Sequence, residues 1–121
     1  MTVAYWVIAV ALAVVYLYSG GMKLARSREQ LRPMMAWVDD LPLGLTRTVG
    51  ALEVLGAIGL ILPPATGVLP WLAFAAAVGF VVLQVAASAL HLSRGEAKNI
   101  GLNVGLLVLA AVEIWLATIW L

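Results

Sequence analysis

Four long apolar runs divide this chain, and the polar residues inside them are few. The pattern predicts four membrane-spanning helices, at about 2–25, 46–62, 68–92 and 99–120, since a spanning helix needs roughly 20 apolar residues. The first run meets no charge before Lys23, and the second contains Glu53. The third contains Gln84, Ser88 and His91, and the fourth Asn103 and Glu113. Pro63 and Pro64 are expected to stop the second helix, with PPATG as a tight turn after it. The hexapeptide SRGEAK breaks the chain between the third and fourth runs. The first run lacks a basic segment ahead of it and is long, so it reads as a retained helix and not as a cleaved signal peptide.

Only the connection between the first two runs is long. It mixes Arg26, Arg28, Glu29, Arg32, Asp39 and Asp40 with apolar residues, and Pro33 and Pro42 bracket its middle. Trp37 and the two methionines beside it suit a short helix lying at the membrane interface. An ordinary loop with an aromatic anchor accounts for the same residues, and both readings stand at this point.

Composition identifies the solvent. Of 121 residues 64% are hydrophobic and 11% charged, against about 45–50% and about 25% in soluble domains. A chain this short cannot hide so much apolar surface from water. The expected fold is therefore an all-α membrane protein, one domain forming a four-helix transmembrane bundle. There is no cysteine and a single histidine, which argues against a structural zinc site. No metal or nucleotide motif is present, and nothing calls for a nucleic-acid partner.

Charge sets an expected orientation. All seven Lys and Arg residues lie in or beside the first and third connections: Lys23, Arg26, Arg28, Arg32, Arg47, Arg94 and Lys98. Basic residues stay on the cytoplasmic side. Both termini and the PPATG turn should then face outward, in a multi-pass protein of the cell membrane. Trp6, Trp71, Trp115 and Trp120 fall towards the outer ends, where an aromatic belt belongs.

Depth groups the polar residues. Glu53 lies about 9 Å along its helix from Arg47, at 1.5 Å per residue. Gln84 has a similar depth relative to His91, Asn103 lies just inside the fourth helix, and Lys23, His91 and Asn99 lie nearer the surface. Gln84, Ser88 and His91 share one stripe, as do Tyr16, Ser19, Gly20 and Lys23. Lipid cannot satisfy such groups, so the stripes turn inward. The expected result is a polar pocket on the cytoplasmic side. Its candidate ligand-binding residues are Lys23, Glu53, Gln84, Ser88, His91, Asn99, Asn103 and Tyr16, with Glu53 and His91 as candidate catalytic groups. A carboxylate at depth should pair, protonate or face a cavity; Lys23, His91 and Arg47 are the candidate partners of Glu53. Glu113 has no cation near it and reads equally as a protonated carboxyl, a subunit contact or the far end of the pocket. Glycines at 50, 56 and 59, and the pair Gly101 and Gly105, suit close helix approach.

The run SGGMKL, then GALEVLGAIGLILP, then ALHL and an asparagine opening the fourth helix resembles the DoxX-like family of small bacterial membrane proteins. The specific positions are Gly20, Lys23, Glu53, Gly56, Gly59, Pro63 and His91. The resemblance implies four membrane helices and a joint role for the Lys, Glu and His positions. It also gives weight to a quinone or another lipidic molecule as ligand, with a redox role needing that bound quinone or a partner subunit. The leading expectation is thus a lipid- or quinone-binding module, as a redox accessory subunit. The alternatives are a membrane enzyme, an isomerase or oxidoreductase doing Glu/His acid–base chemistry on a lipidic substrate, and a small transporter or assembly factor. A homodimer or a partner membrane subunit is a further expectation.

Overall fold

The computed structural model describes residues 1–121, except the side chain of Asn99. Four long helices are present: α1 (Thr2–Ala25), α3 (Leu43–Thr66), α4 (Leu72–Ser93) and α5 (Gly101–Leu116). The last continues as a tighter 3-10 turn, Ala117–Trp120. All four are long and apolar enough to cross a membrane. Between α1 and α3 lie a one-turn helix, α2 (Arg28–Leu31), and a 3-10 turn, Ala36–Asp39. Helix α2 starts with a capping box, in which Ser27 and Gln30 satisfy each other's backbone N–H groups.

The helices pack in a ring, α1 on α3, α3 on α4, α4 on α5 and α5 back on α1. The periodicity of the buried positions explains this. On α3 they are Thr46, Gly50, Glu53, Ala57, Leu60 and Pro64; on α4, Ala73, Ala77, Phe80 and Gln84. Steps of four and three residues keep one stripe of each helix facing its neighbours. The opposite faces carry exposed Val and Leu, such as Val3 at 78% and Leu102 at 71%. That is the surface of a protein dissolved in lipid.

Small residues set the spacing of α1 and α3. A Cβ added to Gly20 would lie 2.6 Å from the carbonyl oxygen of Gly50, and one added to Gly50 would lie 2.7 Å from Lys23 Cβ. Only glycine at both positions lets the backbones meet there. A Cβ at Gly56 would likewise strike the Phe80 ring, 2.6 Å from its Cζ. Gly101 and Gly105 have open space instead, so their spacing serves no contact within the chain.

The double proline does not end the second long helix at residue 62. Pro63 and Pro64 lie inside α3, which runs to Thr66 and ends on Gly67 with φ of 73°. A proline lacks the N–H that would bond the carbonyl four residues back. For Pro64 that carbonyl is Leu60, and the Tyr5 hydroxyl from α1 donates to it at 2.6 Å. A contact from another helix thus replaces the missing bond.

Candidate functional site

The close crossing of α1 and α3 brings Lys23 against Glu53. They form a buried ion pair, with side chains 8% and 3% exposed. The Lys23 ammonium also donates to Ser19 Oγ at 2.7 Å, one helical turn back, and lies 5.7 Å from the centre of the Trp37 ring. Arg47 does not pair with Glu53; its guanidinium donates to the Lys23 carbonyl oxygen at the C-terminal end of α1. This is a favourable place for a cation, because the last carbonyls of a helix lack partners. Glu53 Oε1 takes the Lys23 bond, while Oε2 is buried with no partner among the described residues.

A second polar chain crosses the bundle between α1, α4 and α5. Asn103 Nδ2 donates to Gln84 Oε1 at 2.9 Å, and Gln84 Nε2 donates to the Tyr16 hydroxyl at 2.6 Å. The Tyr16 ring stacks on Phe80 with centroids 3.9 Å apart and planes within 10°. Phe80 in turn fits the notch left by Gly56. The apolar stack beneath these groups therefore holds the polar chain in place.

Both polar groups open on one cavity of about 970 Å³. Lys23, Glu53, Tyr16, Gln84, Asn103 and His91 all line it. The remaining walls are mostly aliphatic, and the segment from Pro33 to Trp37 closes one side. Six of the eight residues expected from the sequence thus meet at one place. Ser88 does not line the cavity. It lies about 40° round α4 from Gln84 at 3.6 residues per turn, on the flank opposite Ala87 and Leu90, which do line it. Asn99 lies outside the described side chains.

His91 shares the cavity wall with Glu53 but has its own partner. Its Nδ1 lies 3.2 Å from Glu96 Oε1, and Arg94 Nε donates to the same oxygen at 2.8 Å. Arg94 also forms an ion pair with Asp40 in the long connection. In that connection Arg32 makes a two-pronged contact with Asp39, at 2.7 and 3.0 Å, and Arg28 donates to the Leu41 carbonyl at 3.2 Å. The hydrogen bond from Arg32 holds the Asp39 carboxyl below the usual carboxylate range, and the one from Arg94 does the same for Glu96. Arg94 thus ties the connection to the turn after α4, and Arg32 and Arg28 brace it internally. Its apolar anchors Leu31 and Val38 are fully buried.

Sequence reasoning missed Trp37 as a neighbour of Lys23, Glu96 as the partner of His91, and Phe80 as the plate under Tyr16. Only the last left a signal, a small residue at 56 facing a large one from the next helix. Glu113 lies elsewhere. It is fully buried, and neither carboxyl oxygen has a partner among the described residues. Burial inside the bundle excludes a subunit contact through its side chain. Trp6 and Trp120 pack edge to face with Tyr5 at 5.3 and 5.4 Å, half-buried against the core. Trp71 and Trp115 remain exposed.

Comparison with curated proteins found no match, and comparison with solved structures found none. Comparison with protein families matched the DoxX-like family over residues 7–112. That span runs from the first turns of α1 to within a residue of Glu113, and so includes Lys23, Glu53, the polar chain and His91. The chain belongs to the DoxX-like family of membrane proteins.

Proposed function

We propose that this chain is a multi-pass protein of the bacterial plasma membrane, with both termini outside, that holds a quinone-like or other lipidic small molecule in its cytoplasm-side cavity. The observation that carries the reading is a buried Lys23–Glu53 pair set in the wall of a cavity of about 970 Å³. Small-molecule sites typically measure about 300–1,000 Å³, with mostly apolar walls and a few placed polar groups. An ionisable residue inside a membrane bundle costs stability and marks a site by default. Lys23 and Glu53 would orient the head of the molecule, and the chain of Tyr16, Gln84 and Asn103 would meet it from the opposite wall. The aliphatic walls would take its tail. As a redox accessory subunit, the chain would hold such a molecule for a partner protein. Acid–base catalysis by Glu53 with His91 draws less support, because each group is engaged by a different residue.

A quinone carrying a photoactivatable diazirine on its tail tests the reading in native membranes. Labels should concentrate on the segment from Met34 to Trp37 and on the neighbours of Glu53. Labels spread evenly over lipid-facing residues such as Val3 and Val82 would contradict it. Orientation is tested separately. A cysteine at Leu69 should react with a membrane-impermeant maleimide added outside intact cells, and one at Lys98 should not.

A further inference from the structure

The walls of the cavity are not equally buried. Tyr16, Lys23, Glu53 and Gln84 line an inner part and are almost wholly covered. Val14 and Tyr18 on α1 and Leu102 on α5 line the same cavity, yet they are 63%, 62% and 71% exposed. Residues that are both cavity wall and outer surface mark where a cavity opens. Here they come from α1 and α5, which are neighbours in the ring.

The way these two helices are joined accounts for a gap. Near the N-terminus of α1, Tyr5 and Trp6 pack directly against Trp120, in the turn that continues α5. In the C-terminal half of α1 no hydrogen bond joins the pair directly among the described residues. Tyr16 reaches Asn103 only through Gln84 of α4. The helices are thus tied to each other at one end and through a third helix at the other.

Depth decides what the opening faces. Tyr18 lies about 10 Å and Val14 about 16 Å before the C-terminal end of α1, at 1.5 Å per residue. A hydrocarbon core is about 30 Å thick, so the opening reaches from near one interface towards the middle of the bilayer. Its rim is aliphatic and aromatic, as a lipid-facing surface should be, while the polar groups lie further in.

We propose that the cavity is loaded sideways from the bilayer, through the gap between α1 and α5, by an amphiphile whose apolar chain lies in that gap. Its polar head then sits further in, towards Lys23, Gln84 and Asn103. The inference rests on reading the cavity as a ligand site. It adds where the ligand comes from and where its chain runs.

The chain contains no cysteine, so a nitroxide can be attached at one chosen site of the full protein in lipid nanodiscs. Ala87 lines the cavity from α4, and Ala87→Cys provides the site. Power saturation then measures collisions with oxygen, which concentrates in hydrocarbon, and with a nickel chelate, which stays in water. A nitroxide at 87 should meet oxygen as often as one on exposed Val7, and the chelate as rarely. Leu102→Trp places an indole at the rim and should lower oxygen collisions at 87 to those of a fully buried position such as Ala9. Hexadecanol added to the bilayer should lower them as well, with Val7 unchanged. Chelate collisions exceeding oxygen collisions at 87 would overturn the sideways route and leave a ligand site filled from water. Full oxygen access in Leu102→Trp would also overturn it, since the opening then lies elsewhere. Oxygen access that hexadecanol leaves unchanged would overturn the apolar chain as occupant. Neither quencher reaching 87 would overturn both the route and the cavity as a ligand site. Leu90→Cys, at a second lining position, gives the same readings where the labelled Ala87→Cys protein does not fold.

Discussion

Glu53 and Glu113 are both buried carboxyls on membrane-length helices, at 2% and 0% exposure, yet they occupy opposite kinds of environment. Glu53 sits where α1 and α3 touch through glycine, beside a cation, in the wall of a cavity. Glu113 sits near Tyr5 inside the bundle, does not line the cavity, and has no partner among the described residues. The contrast teaches that burial alone does not make an acidic residue part of a site. What distinguishes Glu53 is the joint presence of a counter-charge and a neighbouring space.

The widest separation between the two should come from removing charge. Lys23→Met strands the Glu53 carboxylate and should cost about 3–5 kcal/mol, the usual penalty for breaking a buried pair from one side. Adding Glu53→Gln should recover most of it. Glu113→Gln, which takes no partner from anything, should stay within about 1 kcal/mol of the parent. Denaturant unfolding in micelles measures all of these, and a Lys23→Met protein as stable as the parent would break the comparison. Next in size is the helix crossing. Gly20→Ala drives a methyl into the Gly50 carbonyl and should cost about 1–3 kcal/mol, whereas Gly105→Ala, facing open space, should be neutral or slightly stabilising. Near the N-terminus of α1, Tyr5→Phe leaves the Leu60 carbonyl without its donor and should cost about 0.5–1.5 kcal/mol.

The smallest effect concerns the connection beside the cavity. The folded carboxyls of Asp39 and Glu96 are held low by Arg32 and Arg94. A carboxyl lowered on folding adds stability above its unfolded pKa, and that stability is lost as pH falls through the folded value. The contacts should therefore hold at neutral pH and weaken below about pH 4. Pepsin cleavage between residues 26 and 42 should rise on acidification from pH 5 to pH 2 more steeply than in Asp39→Asn. Equal rises would show that the ion pairs do not hold the connection.

Much of this was legible in the sequence, for identifiable reasons. Uncharged runs of membrane length can do little other than cross, so the four long helices followed directly. Lys23 and Glu53 were separable from Glu113 by depth alone, and their pairing follows once α1 and α3 are neighbours. The double proline misled, because the group that compensates Pro64 is Tyr5, on another helix and 55 residues away in sequence. Local pattern carries no trace of such a contact. Ser88 lies off the cavity because a polar stripe on a helix is broad, and the cavity takes only one edge of it. The fold of the long connection depends on Arg94 reaching Asp40 from the turn after α4, which no local signal announces.

The central claim is that Glu53 belongs to a ligand site and Glu113 does not. Native mass spectrometry of protein gently extracted from its own membrane tests it, with the parent, Glu53→Gln and Glu113→Gln run side by side. The expected result is a small molecule that stays bound to the parent and to Glu113→Gln, and that is lost from Glu53→Gln. A clean mass for all three proteins, or a molecule lost only from Glu113→Gln, would contradict it.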